Sequence, residues 1–212
     1  MVLTGGSPVD VREVCRMADA VVMAWYPGQE GGYALGDLLF GDTNFSGRLP
    51  VTFPADGDLL PPFEDYSMRG RTYRYFDDPL FAFGFGLSYT TFRVDNGRVE
   101  MAPEAGSDAG AIAGTLTCSV QNTGRRDGTE TLQVYIRDMG DTDGPLKSLR
   151  AFQRVSVKAG QSMTVNIPLS RKAFEFWNKE SNTMRIKSGR YEVLYGTSSR
   201  PDDLHALTVT LP

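Results

Sequence analysis

Residues 114–121 read Gly114-Thr-Leu-Thr-Cys-Ser-Val-Gln121, and residues 131–137 read Thr131-Leu-Gln-Val-Tyr-Ile-Arg137. Both alternate apolar and polar side chains with a period of two, the signature of strands that bury one face. Working outward, the same reading predicts strands at 88–94, 112–121, 129–137, 148–157, 161–169, 190–197 and 205–211. Asn122-Thr-Gly124, Asp127-Gly128, Ala159-Gly160 and Ser188-Gly189 supply the turns between them. Seven short strands over the span 87–212, with turns at close intervals, predict an all-β sandwich of two sheets.

The first 55 residues follow another rhythm. Met1–Thr4 is a short apolar run ending at Gly5-Gly6. Ser7-Pro8 reads as a helix cap with a first-turn proline, and an amphipathic stretch follows through Ala18. Asp19–Tyr26 is almost continuously apolar, the pattern of a parallel strand covered on both faces. Pro27–Gly32 is a turn, and Tyr33–Phe40 is helical up to Gly41. The β-α-β-α order implies part of an α/β unit with a parallel sheet. Two strands and two helices bury little core, so apolar surface on 1–55 is expected to seek another copy or another domain. Residues 56–86 are rich in Pro, Gly and aromatics, as in Leu59-Leu-Pro-Pro-Phe63 and Phe81-Ala-Phe-Gly-Phe-Gly86. They predict an ordered connector lying over other domains, preceded by a strand at Arg48–Phe53. The fold class is thus mixed α and β: a partial α/β unit (1–55), a connector (56–86) and an all-β sandwich (87–212).

Composition narrows the chemistry. The formal charge of −4, with basic residues scattered, disfavours a nucleic-acid partner. No apolar run approaches the length of a membrane span, and the N-terminus lacks a basic region followed by an apolar stretch. Cys15 and Cys118 lie in segments of different pattern and are expected as free thiols. His205 is the single histidine, expected as a surface residue, so neither a His-rich metal site nor any cofactor site is predicted. Among carboxylates, Glu30 follows a buried strand and opens a helix, where α/β folds present ligand-binding groups. It could accept bonds from a sugar hydroxyl or act as an acid or base. Its simpler role is to favour the dipole of the helix. Glu64 and Asp65 are too close in sequence to form the facing pair that a glycosidase needs. Phe174-Glu-Phe-Trp177 reads as core, or as a surface packed on another domain. If its aromatics were exposed, they would favour a binding module for carbohydrate or protein.

Ala24-Trp-Tyr-Pro-Gly-Gln-Glu-Gly-Gly32, Asp37-Leu-Leu-Phe-Gly-Asp42 and Gly47-Arg-Leu-Pro-Val-Thr-Phe53 resemble the C-terminal half of the α/β domain of family 3 glycoside hydrolases. Arg69-Gly-Arg-Thr-Tyr-Arg-Tyr75 and Phe83-Gly-Phe-Gly-Leu-Ser-Tyr-Thr90 continue the resemblance in order. Val120-Gln-Asn-Thr-Gly124, Gln133-Val-Tyr135 and Ser188-Gly-Arg-Tyr-Glu-Val193 resemble the fibronectin type III-like domain that follows. Ser7-Pro-Val-Asp10 and the Gly-Arg-Thr-Tyr-Arg stretch look closest to the β-xylosidase and β-glucosidase branch. The resemblance implies a C-terminal portion of a retaining exo-β-glycosidase acting on oligosaccharides, periplasmic or secreted. In that family the aspartate nucleophile lies on an N-terminal barrel domain and the glutamate acid/base lies upstream of the segment resembling Met1 onward. Neither has a matching position here, so no catalytic residue is expected in this chain and the chain alone is expected to be inactive. Glu30 matches a family motif residue not taken to be the acid/base.

Overall fold

The computed structural model describes residues 1–55, 60–76, 78–102 and 111–212. Leu59 of the Pro-rich stretch lies outside them.

At the N-terminal end, β1 (Val2–Thr4) and β2 (Val22–Trp25) pair in parallel, flanked by α1 (Arg12–Met17) and α2 (Gly31–Phe40). The β-α-β-α order holds, with two corrections of extent. Helix α1 starts at Arg12, not at Ser7-Pro8. The Asp10 carboxylate accepts the Arg12 backbone N–H at 3.0 Å, an Asx-type turn that holds residues 8–10 outside the helix. Strand β2 is four residues long, and each is only half-buried, since β1 is its one neighbour. Helix α2 stops where the sequence says it should, at Gly41 with φ 86°, a left-handed cap that favours glycine.

The sandwich has one sheet in the order β11-β10-β5-β6 and one in the order β3-β4-β7. These strands are β3 (Phe92–Met101), β4 (Ile112–Asn122), β5 (Gly128–Asp138), β6 (Ser148–Val157), β7 (Ser162–Ser170), β10 (Gly189–Gly196) and β11 (Leu204–Leu211). A hairpin of β8 (Phe176–Asn178) and β9 (Thr183–Arg185) is added between β7 and β10. All seven predicted strands are present. The first is displaced from 88–94 to 92–101, because residues 88–90 are held elsewhere. Asn44 Oδ1 accepts bonds from the Ser88 hydroxyl and the Tyr89 N–H, and the Thr90 hydroxyl donates to the buried Asn122. Strand β3 then runs through a bulge at Asn96-Gly97, where Asn96 has φ 56° and the Gly97 N–H donates to the Tyr195 hydroxyl.

Period-two alternation fills the core. Leu116, Cys118 and Val120 from β4 meet Leu132, Val134 and Ile136 from β5, with Val165, Ile167 and Leu169 from β7 and Tyr191 and Val193 from β10. Phe174 and Phe176 belong to this core, as the sequence predicted, while Trp177 does not: half of its surface is exposed.

The connector differs most from expectation. Residues 48–53 form no strand. Leu49 exchanges backbone bonds with Phe85 and Gly84, and Phe53 pairs with Phe81 in an isolated bridge. Pro50 and Pro54 donate no backbone N–H and so break any longer ladder. Several of the connector's aromatics pack within the chain, while Phe63 and Tyr66 are exposed. Tyr73 stacks on Phe83 at 4.5 Å and meets Tyr135 edge-on at 5.6 Å. Trp25, Phe53, Phe81 and Phe85 form a second chain of rings, with successive centroids at 6.5, 6.4 and 5.2 Å, that reaches from β2 into the connector. Strand β5 is therefore buried on both faces: Leu132, Val134 and Ile136 face the core, and Gln133 and Tyr135 lie under the connector. Gln133 donates to the carbonyls of Gly84 and Thr197 and accepts from the Tyr135 hydroxyl. Gly84, at φ 82°, packs so closely on Gln133 that a Cβ there would overlap its amide.

The N-terminal unit is also tied to the sandwich directly. Arg126 donates to the carbonyl of Gly41 and lies 5.4 Å over the Tyr89 ring, and the Tyr89 hydroxyl donates to Leu38. Both bonds serve carbonyls at the C-terminal end of α2 that have no partner within the helix.

Candidate functional site

Because β1 and β2 are parallel, the loops that follow them, 5–11 and 26–30, leave the sheet at the same edge. This is the edge at which open α/β sheets bind ligands. The local sequence builds it tightly. Trp25, at the end of β2, has φ 54°, a left-handed conformation uncommon for a bulky residue. The turn sets Tyr26 over Gly6, where a Cβ would come within 2.8 Å of the tyrosine ring. Gly28, at φ 74°, then reverses the chain, and Gly31 leaves room for the ring of Pro27. The result is an exposed loop with Tyr26 and Glu30 on the surface at the start of α2.

Glu30 is the N-cap residue of α2. Its carbonyl accepts the Ala34 N–H at 3.0 Å, and its carboxylate makes no cap bond to the helix. No other acid lies in the first turn, so Glu30 is the carboxylate that senses the positive helix end. Among the described residues, no hydrogen bond or ion pair joins Glu30 to a second carboxylate or to a base. Asp10, in the loop after β1, is held by three side-chain bonds from Arg12 and one from its backbone N–H. These bonds lower its pKa to about 2, so it stays ionised and paired and cannot serve as an acid near neutrality.

The other sequence candidates are placed apart in role. Asp65 accepts the Ser67 N–H at 2.8 Å, which lowers its pKa and closes a turn. Arg71 clamps the same loop through the carbonyls of Pro62 and Asp65, both at 2.7 Å. Glu64 is exposed on that loop. His205 sits exposed on β11 with its ring stacked on Tyr195 at 5.1 Å. Both cysteines are free, and burial pushes the Cys118 thiol up to about 11, which keeps it protonated and inert. Among the described residues no group of three or more His, Cys, Asp or Glu side chains could hold a metal ion. Among the described residues no helix is long and apolar enough to cross a membrane.

Two features went unnoticed in the sequence. One is the buried ion pair of Arg48 with Glu130, at 2.7 Å. The other is the Gln133–Tyr135 pair beneath the connector; burial drives the Tyr135 phenol far above its usual pKa. The available signal was a charged residue, Glu130, in period-two phase with Leu132, Val134 and Ile136 on the core-facing side of its strand. Such a charge requires a partner.

Residues 1–89 match the family model for the glycosyl hydrolase family 3 C-terminal domain, and residues 130–199 match the fibronectin type III-like domain. The chain belongs to the C-terminal part of glycoside hydrolase family 3. It is 54% identical over 206 residues to a xylan 1,4-beta-xylosidase of Xylanibacter ruminicola, matching 97% of this chain and 23% of that protein. It is 35% identical to a periplasmic beta-glucosidase of Salmonella typhimurium, over 94% of this chain and 27% of the relative. Among solved structures, the family 3 beta-glucosidase of Bifidobacterium adolescentis superposes with a TM-score of 0.85 at 33% identity, covering 99% of this chain and 32% of that one. The beta-D-glucoside glucohydrolase of Trichoderma reesei gives a TM-score of 0.87 at 28% identity, covering 99% of this chain and 33% of that one. The chain thus spans about a quarter of the length of these curated relatives. In the family 3 enzymes this region is joined to a longer N-terminal part. The fold class is the family's: a partial α/β unit with a parallel sheet, then a fibronectin type III-like sandwich.

Proposed function

We propose that this chain is the C-terminal scaffold of a retaining exo-β-glycosidase, a β-xylosidase or β-glucosidase acting in carbohydrate degradation. The observation that carries the reading is the match along the whole chain to family 3 enzymes with those names. In such an enzyme one carboxylate attacks the anomeric carbon to form a covalent glycosyl-enzyme, and water then releases the sugar. The chain supplies neither carboxylate. It supplies the β1–β2 edge, the Tyr26–Glu30 loop, the connector and the sandwich. Glu30 is the candidate substrate contact, an exposed acceptor at a helix start for a sugar hydroxyl. We assign the units as 1–55, 56–86 and 87–212, an N-terminal barrel domain as the partner, and a periplasmic or secreted location for the enzyme.

The chain alone should not turn over aryl β-xylosides or aryl β-glucosides. Release of the aryl group by purified chain, abolished by replacing Glu30, Glu64 or Asp65, would overturn this assignment.

Residues 1–55 also serve as a contact surface in this reading. Met17, Tyr26, Tyr33 and Phe40 are each more than three-quarters exposed, and the two-stranded sheet has open edges. The isolated chain should therefore self-associate through this unit. Light scattering should give a mass that rises with concentration above the monomer's 23.3 kDa. A constant monomer mass, with slow amide exchange across 19–26, would contradict it.

A further inference from the structure

The β8–β9 hairpin carries a concave surface unconnected with the Glu30 loop. Alternation along β8 sends Phe176 into the core, where the Arg150 guanidinium lies 4.7 Å over its ring. It turns Trp177 outward, opposite Met184 on β9, and the two are 50% and 48% exposed. Beside the indole, Asp141, Asn178, Lys179, Glu180 and Lys187 complete a cavity of about 350 Å³. The rim is built. Asn178 Oδ1 accepts the N–H and hydroxyl of Ser181, closing the hairpin turn. Asp143 pairs with Lys179 at 3.8 Å and with Arg69 of the connector at 3.6 Å.

The chemistry of the wall selects its ligand. The wall carries both signs: Lys179 and Lys187 already pair with Asp143 and Asp138, at 3.8 and 4.0 Å, and Asp141 and Glu180 add two carboxylates that a polyanion would meet as like charge. An apolar protein surface seated here would strip water from the Asp141 and Glu180 carboxylates without pairing them. A neutral pyranose suits both parts of the wall. One face of the ring is C–H and packs on an indole, while its hydroxyls can donate to Asp141 and Glu180 and accept from Lys179 and Lys187. β-Linked xylose and glucose carry their hydroxyls equatorially and leave both ring faces open for such stacking.

We propose that the cavity around Trp177 is a non-catalytic sugar-binding subsite for a neutral β-linked oligosaccharide. The choice of β-linked sugar rests on the glycosidase reading above; the cavity does not. Such a site would hold a polymeric substrate against the sandwich while its end is processed elsewhere.

Titration of the full chain with xylotetraose, followed by calorimetry and by tryptophan emission, tests it. Binding should saturate in the millimolar range and shift emission to the blue, since Trp177 and Trp25 are the chain's two tryptophans. Trp177→Ala should weaken binding at least about tenfold, equivalent to 1.4 kcal/mol, and Asp141→Ala should weaken it too. Trp25 emission then reports that the variants remain folded. A wild-type titration without heat, or unchanged affinity in Trp177→Ala, overturns the proposal. Loss of binding in this assay is separable from failure of the glycosidase reading, which is measured by hydrolysis.

Discussion

Replacing Glu130 by Ala is expected to destabilise the chain by about 3–5 kcal/mol. Glu130 Oε1 accepts two bonds from the Arg48 guanidinium, at 3.0 and 2.7 Å, and the Thr131 N–H at 2.7 Å. The side chains are 8% and 6% exposed for Arg48 and Glu130, so water replaces little of what is lost. Removing the carboxylate leaves a buried guanidinium whose remaining hydrogen-bond partner among the described residues is the Gly47 carbonyl, at 2.9 Å. That unpaired charge, rather than the lost attraction, dominates the penalty. For a chain of this size the shift in Tm is roughly 6–20 °C. The double variant Arg48→Met/Glu130→Leu should recover most of the loss, because two apolar groups need no partner. Urea unfolding of the wild type and the two variants checks this. A single-variant loss under about 1 kcal/mol, the range of an exposed pair, would show that the pair is solvated. Arg48 lies before the connector and Glu130 in β5, so hydrogen exchange in the connector should accelerate along with that in the sandwich.

The same contact marks where the sequence was legible and where it was not. The sandwich was readable because its strands alternate. Leu116, Cys118 and Val120 face inward from β4, and intervening Thr and Ser positions face outward. Helix α2 was readable because Gly41 ends it in a conformation that only glycine adopts easily. The connector was not readable. The bonds here are non-local: Arg48, just before the connector, to Glu130, and Tyr73 to Tyr135 and Gly84 to Gln133 within it, each span tens of residues, and none leaves a periodic trace. Pro50 hid behind a run, Arg48–Phe53, that otherwise reads as a strand. The aromatics of Phe81–Phe85 were expected to pack over other domains, and they are half-buried within the chain. They pack on Phe53, on Tyr73 and, through Tyr73 and Gly84, on the outer face of β5.

The candidate site was legible in one respect. The Pro27–Gly32 turn and the position of Glu30 at the start of α2 follow from a buried run ended by Pro and Gly. The left-handed Trp25 and the seating of Tyr26 on Gly6 did not follow, because backbone strain leaves no mark in residue type when a tryptophan occupies the position. Trp177 was grouped with its neighbours Phe174 and Phe176. The three differ because Phe174 sits in a 3₁₀ turn and only one of the two β8 aromatics can face the core.

The most direct measurement is hydrolysis by a chimera. The C-terminal segment of the Xylanibacter ruminicola xylan 1,4-beta-xylosidase is replaced by this chain, to which it is 54% identical over 206 residues. If the chain is the scaffold of a retaining β-glycosidase, the relative's N-terminal part brings the catalytic carboxylates. The exposed residues of 1–55, Tyr33 and Phe40 among them, then become interface. The chimera should hydrolyse an aryl β-xyloside with retention of configuration and with kcat/KM within about tenfold of the intact relative's, a change in barrier near 1.4 kcal/mol. A soluble, cooperatively folding chimera that releases no aryl group, where the intact relative does, would contradict the account.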